Sequence, residues 1–313
     1  MTRTLFTRPQ PEPALVAQAG GWHAESVTTP DVLVMAGQVY CYVGAVTGGH
    51  ERIVGFPLPA DVFQPPVAMG GSPARLAIDV GPPGSFDGDH VMDPATVVTA
   101  ERVLLYYSAI GPGPDSIGLA TSLDGVTFVK CPHRVLVGRA PEIIKCGQCF
   151  CLLYVRATRA GGYAIHLARS TDGVRFDAVS DRPVFDAGRA GSWDAYSVTT
   201  PRVFGRGSYY YMVYAGDNRT RDEPRAFGLA RSRDCLSWTR YAGNPVFRCG
   251  EPRSWDDGAI WFGTVFEWHD TLYLFYEGAS GAALRSPRGA SAVGVALCSG
   301  AAFDRSMDDW RGG

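Results

Sequence analysis

The chain repeats itself, and the repeat limits its fold more than any other feature. The segment SWDAYSVTTPRVF at 192–204 returns as SWDDGAIWFGTVF at 254–266, as GWHAESVTTPDVL at 21–33 and, more loosely, as SFDGDHVMDPATV at 85–97. With Pro201 as the reference, an aromatic residue stands the same distance before each anchor: Trp22 before Pro30, Phe86 before Pro94, Trp193 before Pro201 and Trp255 before Gly263. A fifth copy, GRAPEII around Pro141, keeps the proline and the apolar strand after it but lacks the aromatic. Five units of roughly 60 residues point to one supersecondary motif used repeatedly.

Each unit carries the same signals in the same order. An apolar strand leads away from the anchor to a turn, and an aromatic-rich strand follows: QVYCYVG, VLLYYSA, CFCLLYV, YYYMVYAG and LYLFYEG. Runs rich in Val, Tyr and Phe between glycine turns mark β-hairpins. A third strand comes next (IGLATS, IHLARS, FGLARS, VGVALC), then a turn with an aromatic residue (LDGVTF, TDGVRF, RDCLSW). A short HRVLV, RPVF or NPVF segment closes the unit. Four hairpin-linked strands repeated five times predict an all-β chain folded as a five-bladed β-propeller with four-stranded antiparallel blades. The last unit lacks its closing segment, while Pro13-Ala14-Leu15-Val16 stands before Trp22 much as Pro245 stands before Trp255. The N-terminal strand is therefore expected to close the ring as the outer strand of blade five, which removes an exposed edge. Residues 1–313 read as a single domain, with 70–84 as an excursion between blades one and two.

Composition narrows the partners. A formal net charge of -2 supplies no basic field for nucleic acid or an anionic membrane surface. No apolar run reaches the roughly 18 residues of a membrane span, and the first 21 residues have no continuous apolar stretch of the kind an export signal needs. Eight cysteines without such a signal read as free thiols in a reducing cytoplasm. Cys146-x-x-Cys149-x-Cys151 falls across the hairpin turn of blade three with no second ligand pair nearby in sequence, so no metal and no cofactor is expected. Asp124, Asp172 and Asp234 sit in Ser-x-Asp turns and are expected to bond turn amides.

In a propeller the loops that enter the innermost strands gather on one face around the central channel, and chemistry is expected there. Immediately before the anchors stand Thr29, Asp93, Ala140, Thr200 and Phe262, and immediately after them Asp31, Ala95, Glu142, Arg202 and Thr264. Side chains two apart on a strand share a face, so Asp31, Asp93 and Glu142 are expected to point into one cavity. Glu25, Asp89 with His90, and Tyr196 stand just upstream. His90 can titrate near neutrality and serve as a general acid. Arg139, Arg156 and Arg202 can bind an anionic substrate group or neutralise the acids. Trp22, Tyr196 and Trp261 can stack on a sugar face. Trp22, Trp193 and Trp255 recur at one repeat position and read as packing between blades.

These residues carry a resemblance to the glycoside hydrolases of family 43 and their superfamily relatives in families 32, 62, 68 and 130. The resemblance implies five blades, an Asp base, a second Asp that orients and tunes pKa, and a Glu acid on successive inner strands. Met92-Asp93-Pro94 matches the motif of the second Asp. Thr29 occupies the usual base position and Arg139 the usual acid position, with Asp31 and Glu142 standing close by. The resemblance thus implies carboxylate acid–base cleavage of a small glycoside or oligosaccharide. Asp93, Glu142, Asp31 and His90 are the catalytic candidates; Glu25, Asp89, Arg139, Arg156, Tyr196, Arg202 and Trp261 are the substrate-binding ones. One carboxyl must keep a proton for the leaving oxygen while another activates the attacking group. Two other readings stay open: a diverged propeller with altered small-molecule chemistry, and a non-catalytic carbohydrate-binding or protein-interaction propeller.

Overall fold

The computed structural model describes residues 4–59, 63, 67, 69, 74–286 and 289–310. Its strands form five antiparallel sheets arranged as the blades of a ring. Blade one holds β1 (Ser26–Met35), β2 (Gln38–Thr47), β3 (His50–Leu58) and β4 (Arg75–Ile78). Blade two holds β5 (His90–Val98), β6 (Val103–Ile110) and β7 (Ser116–Ser122), with β8 (Val129–Lys130) and β9 (Leu136–Val137) both paired to the outer edge of β7. Blade three is β10 (Arg139–Cys146), β11 (Cys149–Ala157), β12 (Tyr163–Ser170) and β13 (Asp177–Ala178), with Phe185 bridging to Ile165. Blade four is β14 (Ser197–Arg206), β15 (Tyr209–Asp217), β16 (Ala226–Ser232), β17 (Thr239–Arg240) and β18 (Phe247–Arg248). Blade five has β19 (Ala259–Trp268), β20 (Thr271–Ala279) and β21 (Ala292–Ser299), and helix α1 (Gly300–Asp309) follows it. Among the described residues no helix is long and apolar enough to cross a membrane.

Blade five is completed by the other end of the chain. Thr7 bridges Leu297 and Leu15 bridges Val293, both antiparallel. These two contacts take the places that β17 and β18 take against β16, and in the same order along the chain. The match extends to side chains. Asp87, Asp194 and Asp256, from the SFD and SWD repeats, are each almost fully buried. Each accepts from a tyrosine hydroxyl of the second strand in its blade: Tyr107 at 3.1 Å, Tyr214 at 3.1 Å and Tyr276 at 2.8 Å. Each also takes one cation: Lys130 at 2.7 Å, Arg240 at 2.9 Å and, for Asp256, Arg8 at 2.9 Å. The N-terminal segment therefore supplies both the missing strand and the missing counter-ion. Phe6 and Leu15, 1% and 6% exposed, add apolar burial to the closure.

The core consists of five interfaces, one between each pair of neighbouring blades. Leu33, Tyr42 and Ile53 of blade one meet Val91 and Leu105 of blade two. Leu104 and Ile117 meet Leu152 and Ala168, and Leu153 and Ile165 meet Met212 and Tyr214. Val213 and Phe227 meet Leu272 and Leu274, and Val27 and Val54 meet Phe275 and Val295 to close the circle. Both faces of each sheet are covered, which is why the second strands read as continuous apolar runs rather than alternating ones.

One local expectation is corrected. Residues 70–84 are not simply an excursion: Arg75–Ile78 form the fourth strand of blade one, while 70–73 lie outside the described residues. The strand arrives after a long connection and lacks the Pro-Val-Phe signature of the other closing segments. Trp193 and Trp255 stack on Tyr214 and Tyr276 as packing residues, whereas Trp22 is 43% exposed and does not follow them.

Candidate active site

Every inner strand breaks register once, and always at the anchor. The breaks lie between Thr28 and Asp31, Met92 and Ala95, Arg139 and Glu142, Thr199 and Arg202, and Trp261 and Thr264. At each break the residue before the anchor is left-handed: Thr29 (φ 22°), Asp93 (57°), Ala140 (49°), Thr200 (45°) and Phe262 (52°). None is glycine, so each costs on the order of 1 kcal/mol, a strain held by the paired strands on either side. The bulge re-aims side chains. Residues one and two positions before each anchor line the mouth of the channel, and the residue after it is turned away.

The result is a cavity of about 330 Å³ walled by Thr28, Thr29, Met92, Asp93, Arg139, Ala140, Thr199, Thr200, Trp261 and Phe262. Three further acids enter it: Glu51 from β3, Glu277 from β20 and Asp222 from the loop between β15 and β16. Glu51 reaches the cavity across Gly44, where any side chain would overlap Thr28 Oγ1 and Glu51 Oε1. Thr28 Oγ1 donates a short hydrogen bond to Glu51 Oε1.

Asp93 and Glu277 meet at one hydroxyl. Thr29 Oγ1 lies 3.1 Å from Asp93 Oδ1 and 3.4 Å from Glu277 Oε2, and the Thr29 amide donates to the same Glu277 oxygen at 3.1 Å. Asp93 Oδ2 accepts from Ser108 Oγ at 2.6 Å, and Ser108 Oγ in turn accepts from the Ala140 amide at 2.7 Å. A hydroxyl has one proton to donate. Thr29 can serve both carboxyls only if one of them carries a proton. Burial, with the charge of Asp93 adding to it, pushes Glu277 up to about 7. Burial likewise raises Glu51 to about 8, against its bond from Thr28, with the charges of Asp93 and Glu277 adding to the rise. Like charges in a poorly solvated space disfavour a second ionisation, so the cavity holds a proton at neutral pH.

The other walls suit a polar, ring-shaped ligand. Arg139 Nη1 reaches the Tyr163 hydroxyl at 3.3 Å and lies 3.8 Å from Asp115. Trp261 donates its indole N–H to the Asp222 carbonyl at 2.9 Å, which fixes the ring at the rim.

Of the residues singled out in the sequence, Asp93, Arg139 and Trp261 meet in this cavity. Asp31 and Glu142 do not line it, because the bulge breaks the two-residue period on which their placement rested. Asp31 accepts from the Thr96 amide at 2.9 Å and the Thr96 hydroxyl at 2.6 Å. Glu142 pairs with Arg202 Nη1 at 2.9 Å and accepts from the Val203 amide at 2.7 Å. Arg202, 1% exposed, also bonds the carbonyls of Pro94 and Pro141. It ties blades two, three and four together and does not face substrate. His90 accepts from the Glu51 amide through Nδ1 at 3.2 Å and so positions that strand from outside the cavity. Glu25 and Asp89 are exposed, Glu25 capping the Gly48 amide at 2.7 Å. Arg156 is exposed and Tyr196 half-buried, and neither lines the cavity. Asp124, Asp172 and Asp234 bond turn amides as expected.

Glu277 has a signal in the sequence, its place in the repeat. It faces Trp261 across the hairpin, where the other blades place Gly44, Ser108, Val155 and Ala215. A lone acid in the apolar run LYLFYEG marks the exception. Glu51 stands at the start of β3, which does not carry the motif of the other third strands, and Asp222 lies in a loop, so nothing local distinguishes them.

Comparison with known proteins agrees with this architecture. A family 130 structure described as targeting β-1,2 mannosidic linkages in Candida mannan superposes with a TM-score of 0.68 at 16% identity, covering 94% of each chain. The fold is that of the propeller glycoside hydrolases. A Bacteroides ovatus glycosyl hydrolase reaches a TM-score of 0.70 at 14% identity, covering 94% of this chain and 93% of its own. A thermostable family 43 glycoside hydrolase reaches 0.64 at 16%, covering 89% and 91%. Residues 145–248 match a family 130 model described as beta-1,4-mannooligosaccharide phosphorylase. Within the superfamily that the resemblance implied, the matching sequence model is thus that of family 130 rather than 43. The matched stretch runs from the end of β10 through β18 and contains none of Glu51, Asp93 and Glu277. No curated protein matches the chain in sequence.

Proposed function

We propose that the chain cleaves a glycosidic bond of an oligosaccharide in this cavity by carboxylate acid–base chemistry. The observation that carries the proposal is the meeting of Glu51, Asp93 and Glu277 at one channel mouth, where burial and mutual charge keep protons on carboxyls at neutral pH. Glu51, raised to about 8, is the proton donor to the leaving oxygen. Glu277, raised to about 7, titrates where a general base works best. Asp93 is held by Ser108 and Thr29; it sets the proton affinity of the other two and orients Glu277 through the shared threonine. Trp261 supplies an aromatic face for the sugar, and Arg139 a cationic wall. The family 130 match supports a mannoside as the substrate. The cytoplasmic setting expected from the cysteines belongs to the same proposal; all eight are unpaired.

Arg139 favours a second form of the reaction, in which phosphate replaces water as the attacking group. A guanidinium at the cavity wall can hold a phosphate oxygen. The test is incubation with β-1,2- and β-1,4-linked manno-oligosaccharides, with and without inorganic phosphate. Free sugar in both conditions shows hydrolysis, and a sugar 1-phosphate formed only with phosphate shows phosphorolysis. Asp93→Asn keeps the shape and removes the charge, and should lower turnover on the order of 10²-fold while the circular dichroism spectrum is unchanged. Undiminished turnover in Asp93→Asn, or no cleavage of any glycoside in a broad panel by the wild-type chain, refutes the proposal.

A further inference from the structure

Away from the cavity, three cysteines converge where blade three meets blade four. Cys146 ends β10, Cys151 lies early in β11, and Cys235 lies in the turn between β16 and β17. Their sulfur atoms all stand within 4.8 Å of one another, two of the residues buried and Cys146 half-buried. The sequence expectation of no metal rested on the lack of further ligands near the blade-three hairpin; the ring closes that gap by bringing in Cys235. Cys149 is not among the three. The group sits seven residues along β10 from Arg139, roughly 23 Å at about 3.3 Å per residue, so it is separate from the proposed active site.

We infer that Cys146, Cys151 and Cys235 form a binding site for a thiophilic divalent cation, of which Zn²⁺ is the type, and that the ion clamps blade three to blade four. The distances fit: with Zn–S bonds near ~2.3 Å, tetrahedral sulfurs stand about 3.8 Å apart, and small side-chain rotations bring three sulfurs within 4.8 Å to that spacing. A second observation is backbone geometry. Cys235 is left-handed, φ 58°, at the turn position where blades two and three have Gly125 (70°) and Gly173 (72°). A residue with a side chain is disfavoured there, and what the strain achieves is a thiol aimed at Cys151. Charge balance is the third. Three thiolates and a divalent cation sum to one negative charge. The Arg169 guanidinium donates to the carbonyl of Asp234, the residue next to Cys235, at 2.8 Å, which places a positive charge beside the site. Sulfur ligands select such soft or borderline ions over magnesium and calcium.

The competing explanation is packing alone, and the molecule contains its own control. One blade earlier the same junction is apolar: Leu104 stands at the position of Cys151, and Gly173 at that of Cys235. A side-chain carbon added at Gly173 would meet Leu104 Cδ1 at 2.6 Å. The double variant Cys151→Leu/Cys235→Gly rebuilds that junction and relieves the left-handed cysteine, so it is expected to fold. The experiment is elemental analysis of the full chain, purified without added metal or chelator and then titrated with Zn²⁺, beside the double variant and Cys131→Ser as a control. The inference expects about one zinc per chain for wild type and Cys131→Ser and none for the double variant. It also expects thiolate-to-metal charge-transfer absorption when Co²⁺ replaces zinc, and a melting temperature that chelation lowers only in the chains that bind. A wild-type chain that takes up no zinc on titration overturns the inference, as does zinc retained by the double variant.

Discussion

Replacing Glu51 by glutamine tests the site through stability, without a known substrate. Folding lifts the Glu51 carboxyl from 4.5 to about 8, burial being the largest cause. Between these values the folded chain holds a proton that the unfolded chain has released. Stability therefore falls as pH rises through the window, because the native state binds more protons there. Below about 4.5 both states are protonated and the group contributes nothing; above about 8 the full penalty of an ionised, confined carboxylate is present. At about 1.4 kcal/mol per pH unit the complete window is worth about 5 kcal/mol. Water at the cavity mouth screens part of it, leaving roughly 2–3 kcal/mol. Glutamine fills the same space and does not titrate. Urea unfolding of wild type and Glu51→Gln at pH 5, 7 and 9 should show the difference in unfolding free energy moving in favour of the variant by roughly 2–3 kcal/mol across that range. Glu277 titrates in both chains and largely cancels. A difference that stays flat with pH would show that Glu51 is ionised throughout and is no proton donor. Once a substrate is in hand, the same variant should lose turnover by 10²-fold or more, on the order expected for a general acid.

Gly44→Ala should leave the chain folded and lower kcat/KM on the order of 10²-fold, because the added methyl overlaps Glu51 Oε1 and Thr28 Oγ1 and displaces the acid; full activity would remove Glu51 from the mechanism. Arg202→Ala strands the buried Glu142 and bares the Pro94 and Pro141 carbonyls, and should cost about 3–5 kcal/mol by chemical denaturation. Glu142→Gln should be milder and keep turnover, and loss of turnover with intact stability would return Glu142 to the catalytic set. Deleting residues 1–18 removes Phe6, Leu15 and the Arg8 partner of Asp256, and should cost about 3–5 kcal/mol; an unchanged unfolding midpoint would refute closure of the ring by this segment.

The repeat alone determined the ring. Five anchors, five aromatic strands and one missing closing segment specify five blades and a strand borrowed from the N-terminus, because each blade can bury its faces only against its neighbours. The repeat also singled out Asp93, Arg139 and Trp261, since the positions just before an anchor recur and can be compared. What the sequence could not supply was the direction of side chains across the anchor. An alternating strand would place Asp31 and Glu142 beside Asp93. The left-handed residue at each bulge reverses that, and no residue type at those five positions announces it: Thr29, Asp93, Ala140, Thr200 and Phe262 share no chemistry. Nor could it pair groups far apart in the chain. Glu51, Asp93 and Glu277 become neighbours, and Cys235 meets Cys151, only when the ring closes. Local sequence carries hydrogen-bonding and burial preferences over a few residues; which acids share one proton, and which thiols share one space, is set by how five blades pack around a common axis.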